Sequence, residues 1–371
     1  MVGAEPRTLS RRELNRALLS RQMLLGREQT PALEAVRRLV GLQAQVPNPP
    51  YVGLWTRLRG FERGDLTRLV EERRVVRAPF VRSTLHLVAA EDVLSLWPAV
   101  QPALVRALGA FFGKRARGVD VERLVAAARD ALGEAPLTMG GLKKALAGVE
   151  PGRDGDALNY AVRANLPLVQ VPPGGTWGSG AATYVTAESW LGRPPSGTED
   201  ALRNLLHRYL AAFGPASVKD FQAWSGLVRL GGPVGEIDDG LRRFEDESGA
   251  VLLDLPDAPL PPPDTPAPPR FVPEYDNLVL SHADRRRVIA DGYRKKVFLS
   301  AARVRATFLV DGFVAGAWKI EKTKRSATLV VEPFEPLSAE DRTALAEEGE
   351  GLLRFATEGT PDFDVHFEAP H

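Results

Sequence analysis

The 371-residue sequence contains no cysteine, which excludes disulfides, thiol nucleophiles and thiolate metal sites. Histidine is scarce, and its five residues do not fall at a metal-ligand spacing, so we expect no metal or other cofactor. No uninterrupted apolar run reaches the length of about 18 residues that a membrane span needs. Residues 1–16 mix charged and polar side chains and do not resemble a secretory signal. We therefore expect a cytoplasmic protein without a membrane partner.

Hydrophobic residues make up 44% of the chain and charged residues 26%, which are ordinary proportions for a folded protein of several domains. The formal net charge of +1 hides an uneven distribution. Residues 1–90 contain sixteen Lys and Arg against eight Asp and Glu, and residues 270–325 contain thirteen against six. Two such blocks can converge on one surface that faces phosphates, although solvated Arg-rich helices would give the same counts.

Helices followed by a short β-ribbon recur along the chain, which is the plan of a winged-helix module. Ser10 and Glu13 predict a capping box at the first helix, and residues 75–79 and 84–88 predict paired strands. Similar patterns begin near residue 121 and at Thr198, and the last of them includes a helix predicted over residues 234–244. Tandem units of this kind bind DNA or serve as scaffolding, so the module alone leaves the function open.

After the proline-rich segment 256–269 the apolar pattern changes to that of strands. Strands are predicted over residues 271–280, 304–310, 313–320 and 328–334, with a tight turn at Asp311-Gly312 and an acidic helix at 339–356. The predicted fold is α+β, with three tandem winged-helix units and a small β-rich C-terminal domain. The predicted domains are residues 1–118 with the N-terminal helices, 119–195, 196–258, and 259–371 for the proline-rich strap and C-terminal domain.

Gln43 and Gln45 form the most suggestive polar pair. They are expected at the end of a helix that follows Pro31 and stops before Pro47. In a helical last turn their side chains would diverge by about 200°, whereas an extended last residue would bring them to one face. Two neutral amides can orient a water molecule, which suffices if the leaving group is already good, as it is in an N7-alkylated purine nucleotide. The alternative is that they merely cap the helix.

A second polar cluster comprises Glu274, Asp276, Asn277 and His282, which flank an apolar segment. The two carboxylates are candidates for general-base catalysis, with His282 as a partner. We favour the alternative that these residues form a buried hydrogen-bond network between the C-terminal domain and the repeated units.

Candidate DNA contacts are one histidine on the first ribbon and nine cations in the second basic block: His86, Arg285, Arg286, Arg287, Lys295, Lys296, Lys319, Lys322, Lys324 and Arg325. The last four lie on or after the second strand of the Asp311-Gly312 hairpin, and a cationic ribbon of that kind can enter a DNA groove. The structural alternatives are a solvated helix face, lysines that protect an edge strand, and a buried histidine.

Several motifs resemble the winged-helix HTH_42 superfamily, and the likeness runs from about residue 14 to residue 334. The clearest are Gly41-Leu-Gln-Ala-Gln-Val-Pro47, Arg82-Ser-Thr-Leu-His-Leu-Val88, Pro273-Glu-Tyr-Asp-Asn-Leu-Val-Leu-Ser-His282 and Asp311-Gly-Phe-Val-Ala-Gly-Ala-Trp318. Within the superfamily the Gln-x-Gln form is similar to the AlkZ-like DNA glycosylases, whereas the YcaQ-like branch has Asp in place of the second Gln.

The resemblance implies a monofunctional glycosylase with three tandem winged helices arranged around duplex DNA, and it agrees with the absence of a cofactor signature. An open cleft for a long duplex needs only a monomer. It implies hydrolysis of the N-glycosidic bond of N7-alkylguanine, including interstrand crosslinks made by a DNA-alkylating natural product. Gln43 and Gln45 carry over as the catalytic pair, with Gln45 positioning water and Gln43 supporting it or the developing sugar cation. Two alternatives stay open: a non-catalytic winged-helix regulator, and a hydrolase that uses Glu274 or Asp276.

Overall fold

The computed structural model describes residues 6–196, 200–237, 240–323, 325–357 and 362–370, which form a mixed α+β fold with four β-sheets. The first part of the chain contains β1 (Arg7–Leu9), α1 (Arg11–Arg21), α2 (Ala32–Arg38), β2 (Leu42–Gln43), α3 (Pro49–Trp55), α4 (Arg63–Glu71), β3 (Val75–Pro79), β4 (Leu85–Ala89) and α5 (Ala90–Phe112). The predicted capping box is confirmed, since the Ser10 side chain accepts from the Glu13 amide and the Glu13 carboxylate accepts from the Ser10 amide.

The helix predicted after Pro31 is confirmed at its start, but its predicted end is wrong, because α2 ends at Arg38 and residues 42–43 form a strand. Val40 and Gly41 have φ angles of +53° and +88°, in the left-handed region that ends a helix. A Cβ on Gly41 would lie 3.0 Å from the Leu87 carbonyl oxygen, so the close approach to β4 also requires glycine. The chain therefore enters β2, which pairs with the predicted β3–β4 hairpin in the sheet order β2-β4-β3.

The long helix α5 was not predicted. By length and composition alone, the segment Ala90–Ala116 could cross a membrane. Pro98 and Pro102 interrupt its sequence, and one face, including Val93, Leu96 and Val100, is buried in the largest apolar core. This burial is what the core helix of a folded domain shows, and such a helix passes the same length and composition test.

Helices followed by a ribbon occur twice more. The second set is α6 (Val121–Glu134), α7 (Met139–Ala147), α8 (Gly155–Asn165), β5 (Leu168–Gln170), β6 (Tyr184–Thr186) and α9 (Ala187–Leu191). The third is α10 (Ala201–Phe213), α11 (Val218–Ser225), α12 (Gly231–Ile237), β7 (Arg242–Asp246) and β8 (Val251–Asp254). The predicted start at Thr198 lies outside the described residues.

The helix predicted over residues 234–244 is wrong in its second half. Gly240 has a φ of +84°, and Phe244 lies in β7 with its ring buried. The strand β1 from the N-terminus pairs in parallel with β7, giving the sheet order β1-β7-β8. Residues 7–9 are therefore built into the third ribbon, which no local pattern indicated.

The C-terminal part contains β9 (Arg270–Val272), α13 (Asn277–Leu280), α14 (Arg294–Val297), β10 (Thr307–Val310), β11 (Phe313–Lys322), β12 (Ser326–Pro333), α15 (Ala339–Ala356) and β13 (Asp362–Phe367). The turn at Asp311-Gly312 and the acidic helix are confirmed. The strand predicted over residues 271–280 ends at Val272, because Asp276 caps α13 by accepting from the Leu278 amide at 2.9 Å.

The apolar cores do not follow the predicted domain boundaries. The largest buried cluster takes residues from all four predicted segments, for example Leu18, Val169, Leu205 and Val272. The boundaries at residues 118, 195 and 258 stay a prediction, but the helical sets and the C-terminal sheet pack through a shared interior.

One buried ion pair joins α3 to α13. The Arg57 guanidinium donates to both Asp276 carboxylate oxygens at 2.8 and 2.9 Å, and both side chains are fully buried. Arg57 also donates to the Gly53 carbonyl, and Asp276 also caps α13. Both terminal nitrogens of Arg57 and both carboxylate oxygens of Asp276 have partners, whereas Arg57 Nε is buried without one among the described residues. Removal of either member of the pair would leave an uncompensated charge in the interior.

We predict that Asp276→Asn lowers the free energy of unfolding by about 3–5 kcal/mol, because the Arg57 charge would then be buried without an anion. Urea denaturation followed by circular dichroism measures this value. The matched control is Glu350→Gln, which breaks the exposed Arg354–Glu350 pair and should change the free energy by less than about 1 kcal/mol. Equal effects of the two substitutions would contradict the importance of the buried pair.

Candidate active site

Gln43 and Gln45 lie at the end of β2, where the chain runs beside β4. Gln43 is opposite His86 in the antiparallel register, and the Ala44 amide continues the ladder by donating to the Leu85 carbonyl at 2.7 Å. Gln43 therefore sits on a strand and Gln45 in the bend that follows it, and neither is at the end of a helix, which corrects the predicted location.

Both amide oxygens are held by the turn and strand that face β2. Gln43 Oε1 accepts from Arg82 Nη2 at 2.8 Å, and Gln45 Oε1 accepts from the Leu85 amide at 3.2 Å. A guanidinium and a backbone N–H can only donate, so the oxygen of each amide faces its donor in residues 82–85. Gln43 is buried and Gln45 is exposed. The pair thus offers two amides at different depths, each with its orientation fixed.

Arg77 on β3 holds the backbone of this segment from the inner side. Its Nε donates to the Ala44 carbonyl at 2.7 Å, and its Nη2 donates to the Gln45 carbonyl at 3.0 Å. The remaining nitrogen, Nη1, donates to Gln170 Oε1 of the second ribbon at 2.7 Å. Arg77 is buried, and burial lowers its pKa. Sequence reasoning missed this residue, although an arginine inside the apolar strand Val75–Pro79 was an available signal.

Arg82 lies in the turn between β3 and β4 and was not singled out as a functional residue either. Its φ is +54°, an uncommon value for a residue with a side chain. Besides the bond to Gln43, its Nη1 donates to the Trp224 carbonyl of α11 at 2.9 Å. Burial, followed by the nearby positive charge of Arg285, lowers the pKa of Arg82 to about 10. The guanidinium stays charged at neutral pH and connects Gln43 to the third helical set.

His86 is 1% exposed, so it is not available as a surface contact for DNA. Its Nδ1 lies 3.0 Å from the Thr84 carbonyl, which can only accept, so Nδ1 carries the proton. Its Nε2 is buried without a hydrogen-bond partner in the part of the chain that the structure describes. Burial, with the charge of Arg82 as the second cause, lowers the pKa of His86 to about 3. A neutral imidazole therefore lies opposite Gln43.

The second polar cluster does not converge on the glutamines as an acid–base pair. Asp276 is bound to Arg57, and Asn277 Nδ2 donates to the carbonyls of Leu39 and Gly41 at 3.3 and 2.7 Å. Asn277 therefore supports the chain where it leaves α2 and enters β2. Glu274 is exposed and lines a cleft with Arg303. The contacts of Asp276 and Asn277 match the alternative of a buried network that joins the C-terminal part to the helices, whereas the exposed Glu274 lies outside that network.

His282 is buried, with Nδ1 2.9 Å from Ser281 Oγ and Nε2 3.0 Å from the Phe213 carbonyl. Burial lowers its pKa to about 3, and the positive charge of Arg287 is the second cause. Both ring nitrogens are occupied, so the imidazole fastens α10 to the segment after α13 and does not face a substrate. In the described residues, no group of three or more His, Asp and Glu side chains could hold a metal ion.

The predicted DNA contacts at 285–296 differ in exposure. Arg287 is buried and donates to the Pro215 carbonyl at 2.8 Å, so the structure argues against direct phosphate contact. Arg285 is half-buried, with its guanidinium 4.4 Å from the centre of the Phe298 ring. Arg286 is exposed and paired with Asp284 at 2.6 Å. Lys295 is exposed on α14, and Lys296 is half-buried, 5.1 Å from the centre of the Phe334 ring.

The remaining predicted contacts lie on the β11–β12 hairpin. Lys319, Lys322 and Arg325 are exposed there, and Lys319 pairs with Glu321 at 2.7 Å. Lys324 lies outside the described residues. The hairpin therefore presents cations at the surface, as the sequence predicts, and whether they contact DNA stays a prediction.

The fold and the family are known from other proteins. The solved structure of Streptomyces sahachiroi DNA glycosylase AlkZ superposes with a TM-score of 0.78, covering 97% of this chain and 100% of that one at 23% identity. The family model for AlkZ-like DNA glycosylases matches residues 36–355, and the chain therefore belongs to this family of enzymes, which are hydrolases of N-glycosyl bonds. The resemblance drawn from the sequence motifs is thereby confirmed.

A curated relative is named an interstrand DNA cross-link repair glycosylase, also from Streptomyces sahachiroi. It is 26% identical over 354 residues, which cover 85% of this chain and 88% of the relative. The likeness thus extends over most of the length of both proteins.

We predict that the two buried histidines make stability depend on pH. In the folded state the pKa values of His86 and His282 are about 3, against about 6.5 in the unfolded chain. As pH falls from 6.5 toward 3, the unfolded state gains protons that the folded state does not bind, so the free energy of unfolding falls. Each histidine contributes a slope of up to about 1.4 kcal/mol per pH unit.

Urea unfolding at several values between pH 7 and pH 4.5 measures that slope. The variant His86→Phe has no group to protonate at this position in either state. Its slope should therefore be smaller than the wild-type slope by the contribution of one histidine, up to about 1.4 kcal/mol per pH unit. The exposed His366, substituted as His366→Gln, is the matched control. A wild-type slope in His86→Phe would show that His86 is not held neutral by the fold.

Proposed function

We propose that this DNA glycosylase hydrolyses the N-glycosidic bond of N7-alkylguanine in duplex DNA and leaves an abasic site. Its substrates would include the crosslinked guanines of interstrand crosslinks made by a DNA-alkylating natural product. The observation that carries this proposal is the fixed pair of neutral amides, Gln43 and Gln45, at the end of β2. The name of the curated relative, an interstrand DNA cross-link repair glycosylase, supports the choice of substrate.

The chemistry suits neutral amides because N7 alkylation has already made the base a good leaving group. The C1′–N9 bond breaks, and its electron pair neutralises the cationic base. A water oxygen forms the new bond to C1′ and releases its proton to solvent. Such a reaction needs an oriented water more than a strong base, and orientation is what an amide can supply. The strand is not cleaved, since water and not an enzyme amine is the nucleophile.

The different depths of the two amides support a division of roles. Gln45 is exposed, and the free lone pair of its Oε1 can accept from the attacking water. Gln43 is buried between β4 and Arg82, so it would support that water or the developing sugar cation from the inner side. Arg77 would act as a positioning residue, because it fixes the backbone carbonyls of Ala44 and Gln45.

A crosslinked guanine remains tied to the opposite strand and cannot rotate freely into a deep pocket. The surface position of Gln45 fits this limit. A cleft of about 570 Å³ begins at Val46, directly after Gln45, and extends to Lys319 and Lys322 on β11. The hairpin would thus reach the lesion from a groove while the glutamines act at the sugar.

The architecture proposed with this function is three winged helices, formed by the three helix-and-ribbon sets, arranged around the duplex. The enzyme would act as a monomer on DNA in the cytoplasm, associated with the nucleoid when bound. An open surface that follows a long duplex requires no second subunit.

We predict that Gln45→Ala and Gln43→Ala each lower the single-turnover rate of base release by about 10²-fold, the scale of a lost positioning contact. The measurement is release of free base from a duplex with N7-methylguanine, without metal, and unhooking of an N7-linked crosslink in parallel. Gln29→Ala, at an exposed glutamine away from β2, is the matched control and should keep the wild-type rate.

The outcomes separate the alternatives. Wild-type binding to DNA without base release from either substrate would favour a non-catalytic regulator. Retained activity in both glutamine variants, together with loss in a Glu274→Gln variant, would favour a hydrolase that uses a carboxylate. Asp276→Asn is less informative, because the Arg57 ion pair makes the fold depend on it.

A further inference from the structure

A cleft of about 480 Å³ lies behind the turn that holds Gln43, between α5 and α11. Its charged lining residues are Arg82, Arg106 and Lys219, and the rest of the lining is small or apolar apart from Gln222. Four other clefts of the protein each contain at least one carboxylate, for example Asp220, Glu72, Glu274 and Asp65. The lining of this cleft therefore has charge of one sign.

None of the three cations forms an ion pair within the described ranges, since no carboxylate oxygen there lies within 4.0 Å of the charged nitrogens of Arg82, Arg106 or Lys219. Arg106 Nη2 donates to the Gly226 carbonyl at 2.6 Å, and both terminal nitrogens of Arg82 donate to neutral oxygens. Arg82 is half-buried, whereas Arg106 and Lys219 are exposed. Withdrawing the Arg82 charge from water without an anion is unfavourable, so an anion supplied from outside would stabilise the arrangement.

The cleft is built at a close contact between two parts of the fold. Gly226, at the end of α11, has a φ of +80°, and a Cβ there would lie 3.1 Å from the Arg82 Cα. The missing side chain lets the end of α11 approach the β3–β4 turn, which brings Lys219 on α11 and Arg106 on α5 to the same cleft as Arg82. Arg82 and Lys219 are 137 positions apart, and no sequence motif indicated that these residues converge.

We propose that this cleft binds a phosphodiester group of the DNA backbone, and that Arg82 links the bound phosphate to the orientation of Gln43. The inference rests on the proposed function, since the ligand is the substrate's own backbone. Contacts to phosphates fix the register of a protein on a duplex without reading its sequence. Arg106 and Lys219 would supply the contacts from solvent, and Arg82 would transmit the position of the backbone to the catalytic amide through its Nη2 hydrogen bond.

The test measures binding of an undamaged duplex by fluorescence anisotropy from 50 to 300 mM KCl. The logarithm of the association constant falls linearly with the logarithm of the salt concentration. Lys219→Gln and Arg106→Gln should each make this slope less steep by about one, because each removes one phosphate contact. Affinity at 100 mM salt should fall several-fold. The matched control is Arg354→Gln in the acidic C-terminal helix, where the wild-type slope is expected.

Lys219→Gln keeps the test valid if Arg106→Gln does not fold, because Lys219 is an exposed side chain. The link to catalysis is tested with Arg82→Lys, which keeps the charge but loses the two-pronged donation to Gln43 and Trp224. Its single-turnover rate of base release at saturating enzyme should fall at least 10-fold. A wild-type rate in Arg82→Lys would overturn the link to Gln43.

Wild-type salt slopes in both Lys219→Gln and Arg106→Gln would overturn the phosphate site. If these variants instead lost the line broadening of inorganic phosphate in ³¹P spectra while keeping the DNA slope, the cleft would bind free phosphate and the proposal would be wrong. Failure of the proposed function is a separate result, namely no base release by the wild type, since undamaged DNA is the ligand in the binding assay.

Discussion

The pairing of the two-residue strand β2 with β4 is the interaction on which the site depends. It aligns Gln43 with His86, directs the Ala44 amide to Leu85, and brings both glutamine oxygens to donors in residues 82–85. So short a strand cannot be stable alone. Arg77 and Asn277 hold it from both ends, through the carbonyls of Ala44, Gln45, Leu39 and Gly41. Residues from distant parts of the chain thus fix the position of the segment that carries Gln43 and Gln45.

Features with a local cause could be predicted from the sequence. The capping box at Ser10, the β3–β4 hairpin and the acidic helix Ala339–Ala356 each follow from neighbouring residues, and all three are confirmed. The end of α2 and the start of α13 were predicted wrongly, because positive φ angles at Val40 and Gly41 and the cap at Asp276 interrupt apolar runs that look continuous. The strands β1 and β13 depend on pairing with strands elsewhere in the sequence, so the periodicity of apolar residues alone could not reveal them.

The site also combines residues that the sequence could predict with residues that only the tertiary structure reveals. The two glutamines stood out because amides beside a proline break are conspicuous and belong to a motif that resembles a known family. Arg77 and Arg82 did not, since arginine is common in this chain and its usual place is the surface. Their roles come from burial and from hydrogen bonds to residues of other elements, such as Gln170 and Trp224. Only the tertiary structure separates these two guanidiniums from the solvated ones.

The charge states around Gln43 are mutually dependent. Arg82 stays protonated at neutral pH although its pKa is lowered to about 10, and its charge helps to keep the neighbouring His86 neutral. A second charge on His86 would repel Arg82 and disturb the hydrogen bond that orients Gln43. Arg82, the cation beside the Gln43 amide, lacks an anionic partner among the described residues. It lines a cleft whose charged lining residues are all cations. If the proposed phosphate site is occupied, the backbone of a bound duplex supplies that partner.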